Sequence, residues 1–208
     1  MNDLYTQLIT VFLGFFAIMN PIANTAAFAG LVGDKDKAEQ VKIASKALII
    51  TFFVILVFSI LGKTIFHMFG ITLPALRITG GILVFVVGYQ MLNGGGSKMH
   101  SADSSSSGSD IAVSPLAVPL LAGPGTIATA MNYSASGGLM GITVTVSMFA
   151  VLCLITFVCF IFSSKILAVM GKSGLSIVTR LMGLILAVIG MQMLITGITD
   201  LIIAPAVS

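Results

Sequence analysis

Two short polar interruptions break otherwise apolar stretches of the chain, and both contain proline. The first is Met19-Asn-Pro-Ile-Ala-Asn-Thr25, and the second is Leu120-Leu-Ala-Gly-Pro-Gly-Thr-Ile-Ala-Thr129. Proline lacks an N–H group and clashes with the carbonyl one turn earlier, so each interruption predicts a broken helix. A helix that restarts after a break presents unpaired N–H groups, which attract anions, whereas the helix that ends there presents free carbonyls, which attract cations. Two such breaks side by side would suit a small zwitterion.

The side chains at the two interruptions are polar or small, and none carries a charge. We expect the substrate-binding residues to be Asn20, Pro21, Asn24, Thr25, Gly123, Pro124, Gly125 and Thr126. N–H groups near Asn24 and Gly125 would face a carboxylate. Carbonyls near Asn20 and Gly123 would face an ammonium group or a sodium ion. The glycines of the second interruption favour a substrate with a small side chain.

Six apolar stretches are long enough to position these interruptions inside a bilayer. The chain has 208 residues, of which 57% are hydrophobic and 8% are charged, and no soluble domain of this size hides so much apolar surface. A membrane span needs about 20 apolar residues. The six stretches are residues 8–32, 47–65, 73–92, 111–131, 139–162 and 181–203. They predict an all-α membrane protein with no soluble catalytic domain.

The chain also contains two similar halves. Residues Gly81–Gly95 align with Gly183–Gly197, and seven of the fifteen positions are identical. Each copy closes a block of three spans, and because three is odd, the second block must enter the bilayer from the opposite side. We therefore expect a 3+3 inverted-topology repeat with discontinuous first and fourth helices. The repeats would be residues 1–95 and 111–208, joined by a flexible Ser/Gly-rich cytoplasmic linker over 96–110.

Two further pairs of polar residues occupy near-equivalent positions in the two halves. Arg77 and Arg180 open the third and sixth spans, where we expect them to snorkel or to bind loop carbonyls, with a gate or tether as the alternative for Arg77. Gln90 and Gln192 place amides inside the bilayer, where amides seek interhelical partners. We interpret these glutamines first as structural contacts and second as substrate ligands.

Basic residues are unevenly distributed among the connections between spans. Eight of the ten lie in the first, third and fifth connections: Lys35, Lys37, Lys42, Lys46, Lys98, Lys165, Lys172 and Arg180. The positive-inside rule then places these connections in the cytoplasm and both termini outside it. The net charge of +3 is too small to indicate nucleic-acid binding. The lipid bilayer and a small zwitterion are the expected partners, and a homo-oligomer is compatible with the sequence.

Catalytic and metal-binding patterns are missing from the sequence. It contains no nucleophile–base set, metal-ligand spacing, phosphate-binding loop or dinucleotide fingerprint, so we expect no enzyme, no metal site and no cofactor. No Asp, Glu, Lys, Arg or His lies in the middle third of any predicted span. Proton relays usually need such a group, so a buried carboxylate is not the expected coupling device. A coupling ion, sodium or proton, stays open.

Three motifs resemble one known family. They are Phe69-Gly-Ile-Thr-Leu-Pro-Ala-Leu-Arg77-Ile-Thr-Gly-Gly-Ile-Leu83, Pro115-Leu-Ala-Val-Pro-Leu-Leu-Ala-Gly-Pro-Gly-Thr-Ile127 and Thr179-Arg-Leu-Met-Gly-Leu-Ile-Leu186. Together they resemble the MarC family of bacterial and archaeal inner-membrane proteins, which includes small neutral amino-acid transporters of the SnatA type. The resemblance covers nearly the whole chain. It implies six helices in a 3+3 arrangement, with Asn20-Pro21 and Gly123-Pro124-Gly125 as the discontinuous-helix motifs.

These observations lead to one functional hypothesis and two alternatives. The hypothesis is a secondary transporter that moves small neutral amino acids such as glycine and alanine across the cytoplasmic membrane. Rocking of one repeat against the other would alternate access to a site at mid-membrane. The alternatives are an exporter of another small metabolite or drug, and a non-transporting membrane scaffold or intramembrane enzyme, which the lack of soluble domains and catalytic sets disfavours.

Overall fold

A computed structural model describes residues 2–93, 116–117 and 121–203 of the chain. Within these residues the chain is almost entirely helical and contains no β-strand, which suits an apolar chain whose backbone groups must pair internally. The helices are α1 (Asn2–Met19), α2 (Pro21–Val32), α3 (Lys37–Met68), α4 (Leu73–Leu92), α5 (Pro124–Ser136), α6 (Gly138–Ile161) and α7 (Ser163–Ile203). The predicted linker over 96–110 lies outside the described residues.

Five helical segments of the described chain are long and apolar enough to cross a membrane. They are Leu4–Val32, Lys37–Gly62, Leu73–Leu92, Gly138–Ile161 and Ser173–Ile202. The first segment consists of α1 and α2 with the break between them. Five of the six predicted spans are therefore confirmed as helices of membrane-crossing length. The remaining prediction, residues 111–131, lies partly outside the described residues, and α5 contains its last part.

Glycine contacts hold α4 against α7, the most extensively packed pair among the described helices. A Cβ atom built on Gly81 would lie 2.6 Å from the carbonyl oxygen of Gly190, and one built on Gly190 would lie 2.6 Å from the carbonyl oxygen of Gly81. Gly88 and Gly183 meet in the same reciprocal way, at 2.6 and 2.8 Å. At these four positions the facing helix leaves room only for the hydrogen atom of glycine. Glycine therefore allows the backbones of α4 and α7 to approach closely. The order of the contacts makes α4 and α7 antiparallel.

Aromatic side chains fill the interior beside the broken first span. Phe28 of α2 stacks on Phe160 of α6, with ring centroids 4.4 Å apart and planes 4° from parallel. Phe15 of α1 meets Phe149 of α6 edge-on, with centroids 5.0 Å apart. All four side chains are fully buried. Because α1 and α2 both pack on α6 in this way, the broken span keeps a fixed position.

The outward faces of the helices are also apolar. Exposed large hydrophobic side chains include Phe53 of α3, Val86 of α4, Leu154 of α6 and Val188 of α7. Soluble monomers rarely expose contiguous apolar patches of this kind, whereas lipid tails are a suitable solvent for them. The surface of the bundle therefore matches a bilayer.

Two helices differ in length from the predicted spans. α3 begins at Lys37, well before the predicted start at residue 47, because Lys, Glu and Gln extend a helix beyond its apolar part. α7 contains a kink at Gly171, whose φ of 60° and ψ of 179° are not helical. Only glycine adopts this backbone conformation without strain. The membrane-crossing part of α7 starts just after the kink, at Ser173.

Candidate functional site

Asn20 forms the first break. Its φ of 40° and ψ of 72° are left-handed, and it is the one non-glycine residue in the described chain with a positive φ. Asparagine tolerates this conformation better than most residues. The Asn20 Oδ1 accepts a hydrogen bond from the Ala23 N–H at 3.3 Å and caps α2. Pro21 then starts α2 at the position where a missing N–H costs nothing. The Asn-Pro pair thus ends one helix and begins the next.

Two buried side chains close the first break from within. The Asn24 Nδ2 donates to the Met19 carbonyl, one of the carbonyls that the end of α1 leaves free. The Thr25 Oγ1 donates to the Pro21 carbonyl at 2.7 Å. The sequence led us to expect open carbonyls near Asn20, but the carbonyl of Met19 already has a protein donor. Asn24 and Thr25 therefore stabilise the break, and a second lone pair on the Met19 oxygen is what remains for a cation.

Asn20 also carries an unpaired donor. Its Nδ2 is buried and has no hydrogen-bond partner among the described residues, and the residue is only 3% exposed. A buried amide without a partner costs about 1–3 kcal/mol, so such a group in a native fold needs an explanation. A bound carboxylate or carbonyl would supply the missing acceptor.

The second break is built differently. The Ala122 N–H donates to the Ala117 carbonyl, five residues earlier, at 2.8 Å, which is a π-type turn of the kind often found at functional sites. Gly123 is extended, and no side chain caps the start of α5. Pro124 is the first residue of α5 and is exposed. The first turn of α5 therefore presents N–H groups and the positive end of its dipole without a side-chain cap.

The two breaks lie next to each other. A Cβ atom built on Gly125 would lie 3.0 Å from Cδ1 of Ile18 and 3.6 Å from Cγ2 of Val84. Ile18 is two residues before Asn20, and Gly125 is the second residue of α5. The missing side chain of Gly125 lets the end of α1 approach the start of α5. The structure thus brings the region of Asn20 and the uncapped end of α5 together, with α4 beside them.

Buried hydroxyl groups also occur on α5 and α6. Thr126 and Thr129 of α5 are 3% and 1% exposed, and the Thr129 Oγ1 has no partner among the described residues. The Thr145 Oγ1 of α6 is likewise buried and has no partner among the described residues, but it lies eleven residues before Thr156, the residue of α6 that contacts Met19. The sequence alone does not single out Thr145. Its signal is a threonine within the apolar run of α6, and that signal is too common to identify a site by itself.

Arg77 binds side chains of the second half of the chain. Its Nε donates to the Asn132 Oδ1 at 2.8 Å, and its Nη2 donates to the Ser136 Oγ at 2.7 Å. Its Nη1 pairs with the Asp200 carboxylate. The guanidinium thus connects α4 with α5 and α7 at one end of the bundle. The partners are side chains rather than the loop carbonyls that we expected, and the arrangement agrees with the tether alternative.

The other polar residues selected from the sequence lie elsewhere. Arg180, Gln90 and Gln192 are all exposed. Neither glutamine side-chain amide forms a hydrogen bond among the described residues, and the two amides lie on the exposed surfaces of α4 and α7. Their role as interhelical contacts stays a prediction.

Five helices of membrane-crossing length and an apolar outer surface define a multi-pass integral membrane protein. Residues 5–202 match the family model described as the MarC family of integral membrane proteins. The chain therefore belongs to the MarC family, as its motifs suggested.

Curated relatives span nearly the whole chain. The UPF0056 membrane protein YvbG of Bacillus subtilis is 39% identical over 202 residues, which cover 94% of this chain and 95% of the relative. The UPF0056 membrane protein PH0760 of Pyrococcus horikoshii is 36% identical over 190 residues, covering 90% and 92%. The UPF0056 membrane protein YhcE of Escherichia coli is 31% identical over 195 residues, covering 90% and 89%. No solved structure matches the chain.

Proposed function

We propose that the protein is a secondary transporter of small neutral amino acids, such as glycine and alanine, with its binding site at the two breaks. The observation that carries the proposal is the close approach of Ile18 and Gly125. This approach puts the unpaired amide of Asn20 and the uncapped start of α5 in one region. Two helix breaks at mid-membrane are a common way to build a transport site.

The chemistry of the region suits a zwitterion. The N–H groups of Gly125 and Thr126 and the Nδ2 of Asn20 are donors for the substrate carboxylate. The second lone pair of the Met19 carbonyl and the carbonyl oxygens just before Gly123 would be the acceptors for the ammonium group. Ile18 packs directly against Gly125, and this crowding beside the first turn of α5 favours a substrate with a hydrogen atom or a methyl group as its side chain. The reaction is transport without covalent chemistry, so the protein is not an enzyme.

The proposal includes a 3+3 inverted repeat, which the glycine contacts support. In the sequence alignment, Gly81 corresponds to Gly183 and Gly88 corresponds to Gly190. If the two halves are exchanged, the contact between Gly81 and Gly190 becomes the contact between Gly183 and Gly88. Both contacts are present between α4 and α7. In the same way, α2 packs on α7 and α5 packs on α4. A pseudo-twofold axis through the α4–α7 pair would produce this exchange, and rocking about it would alternate access.

Orientation and location are part of the same proposal. The excess of basic residues in the first, third and fifth connections favours a cytoplasmic position for them. Both termini and the Arg77 end of the bundle would then lie outside the cytoplasm, in a protein of the cytoplasmic (inner) membrane.

Uptake by reconstituted vesicles tests the function. Protein in liposomes should accumulate labelled glycine or alanine with saturable kinetics. The Asn20→Gly variant keeps a residue that accepts the left-handed backbone and loses only the amide, so it should fold. Loss of a hydrogen bond to a charged group should weaken apparent affinity about 10- to 150-fold. Unchanged uptake by this variant would remove Asn20 from the site.

The same vesicles separate the alternatives. Saturable flux of another solute, with no competition by glycine or alanine, would indicate an exporter of another metabolite or drug. Absence of any saturable flux would indicate a scaffold. Imposing a sodium gradient and a proton gradient in turn identifies the coupling ion, since only the gradient that is used changes the final accumulation.

A further inference from the structure

A cavity lies where α3 ends, α4 begins and α5 ends. Its volume is about 220 Å³, and its walls include Phe58, Ser59, His67, Leu76, Met131 and Ser134. Along α5, Ser134 is nine residues beyond Gly125, which corresponds to about 13 Å at the helical rise. The cavity is therefore separate in position from the two breaks.

Two hydroxyl groups in this cavity lack partners. Ser59 and Ser134 are 4% and 3% exposed, and neither Oγ has a hydrogen-bond partner among the described residues. Serine and threonine in a helix commonly donate to the carbonyl four residues earlier. On α3, Ser45 and Thr51 do so at 2.8 Å, and on α5, Ser136 does so at 2.7 Å. Ser59 and Ser134 depart from the pattern of their own helices, and both line the same cavity.

The rest of the lining is mostly apolar. Phe58, Leu76 and Met131 offer hydrophobic surface, and no Lys, Arg, Asp or Glu is among the described side chains that line the cavity. Arg77 follows Leu76, but its guanidinium is already bound by Asn132, Ser136 and Asp200. The site therefore favours a neutral molecule over an ion.

We propose that this cavity binds a small neutral molecule with an apolar body and one hydroxyl or carbonyl group. A hydroxyl can both donate and accept, so the pair formed by Ser59 and Ser134 would satisfy either kind of polar group. An apolar cavity of about 150 Å³ is known to hold benzene, so the larger volume here accommodates one ring with a polar substituent. His67 is exposed and lines the cavity, so the cavity reaches the surface of the bundle at this residue. The inference does not depend on the transport proposed for the breaks.

A photoreactive benzyl alcohol that carries an aryl diazirine tests this inference. The full-length protein in lipid nanodiscs is irradiated with the probe, and labelled peptides are identified by mass spectrometry. Labels should appear within residues 58–62 and 131–135. Excess benzyl alcohol should suppress them more strongly than excess toluene, because toluene has no group for the two serines to bind.

Matched variants separate the cavity from general lipid labelling. Ser59→Ala and Ser134→Ala should each lower labelling about 3- to 10-fold, since each removes one hydrogen bond. Ser45→Ala, whose hydroxyl is bonded within α3, should leave it unchanged. Ala135→Leu should fill the cavity and abolish labelling. Each variant changes one small side chain, and a melting curve of each confirms that it is folded.

Lipid-facing residues provide the internal reference. Leu154 is exposed on α6 and reports the labelling that the probe gives from the bilayer. Labelling of the cavity no stronger than that of Leu154, or unchanged by Ala135→Leu, would overturn the proposal and leave the two serines hydrated by water only. Labelling of the cavity should persist in Asn20→Gly, because Asn20 lies at the two breaks. An error in the site proposed at the breaks and an error in the site proposed at the cavity therefore give different results.

Discussion

Arg77 of α4 pairs with Asp200 of α7, 123 residues later in the chain. The same guanidinium donates to Asn132 and Ser136 of α5, so one residue of the first half holds two helices of the second half. The Arg77 side chain is 15% exposed and that of Asp200 is 37% exposed, which places the pair at the rim of the bundle. If the two halves rock against each other, these contacts must separate when this end opens.

The first prediction concerns this tether. Asp200→Asn removes the charge that pairs with Arg77, and Arg77→Lys replaces a planar group that binds three partners with one that cannot. Each variant should lower the free energy of unfolding by about 1 kcal/mol. The partial exposure of Asp200 keeps the effect at this size. Thermal unfolding in detergent measures it.

A surface ion pair serves as the control for the tether. Lys35 and Glu39 are 3.0 Å apart, and their side chains are 22% and 41% exposed. Glu39→Gln should change stability by less than about 0.5 kcal/mol. An Arg77→Lys variant as stable as the wild type would mean that charge alone is sufficient and that the three-way contact adds nothing.

The second prediction concerns the glycine contact between α4 and α7. Gly190→Ala places a methyl group about where the Gly81 carbonyl oxygen and the Phe85 backbone lie, so the helices must separate. Overpacking of this kind costs about 1–3 kcal/mol or more. Gly174→Ala, on the same helix, meets only Met170 at an ordinary 3.5 Å and should be neutral or slightly stabilising. Equal melting temperatures for the two variants would contradict the close contact.

The third prediction concerns the closure of the first break. Asn24→Asp replaces the amide donor with an acceptor that faces the Met19 carbonyl, and it should destabilise the fold by at least about 1–3 kcal/mol. Asn93 provides a matched control, because its Nδ2 donates to the Tyr89 carbonyl at 3.0 Å on the exposed surface. Water can replace that bond, so Asn93→Asp should have little effect. Similar losses of stability in Asn24→Asp and Asn93→Asp would show that the burial of Asn24 does not determine the cost of the substitution.

The fourth prediction tests the proximity of the two breaks by a double-mutant cycle. Gly125→Ala introduces a methyl group 3.0 Å from Cδ1 of Ile18 and should reduce alanine affinity. Ile18→Ala removes the obstructing atoms, so the double variant should recover part of that affinity. Strictly additive effects would mean that Ile18 and Gly125 do not share the site.

Sequence alone predicted the helix breaks because proline acts locally. Pro21 and Pro124 each begin a helix, at the positions where their missing N–H groups are tolerated. The apolar spans follow from length and composition in the same way. The start of α3 at Lys37 does not follow from apolar length, because Lys, Glu and Gln extend the helix beyond its apolar part.

Other features depend on tertiary contacts and could not be predicted from the sequence. The bond from Asn24 to Met19 requires the left-handed backbone of Asn20, which turns the end of α1 toward that amide. The partners of Arg77 lie 55 to 123 residues away in the chain. The unpaired hydroxyls of Ser59 and Ser134 are unusual only because α3, α4 and α5 enclose a cavity there. No local pattern distinguishes these two serines from Ser45 or Ser136.

Titration calorimetry of alanine against the purified protein in nanodiscs tests the central claim most directly. We expect saturable binding by the wild type, a loss of about 10-fold or more for Asn20→Gly, and no change for Ser59→Ala. Alanine affinity in Asn20→Gly equal to that of the wild type, with both proteins folded, would contradict a substrate site at the two helix breaks.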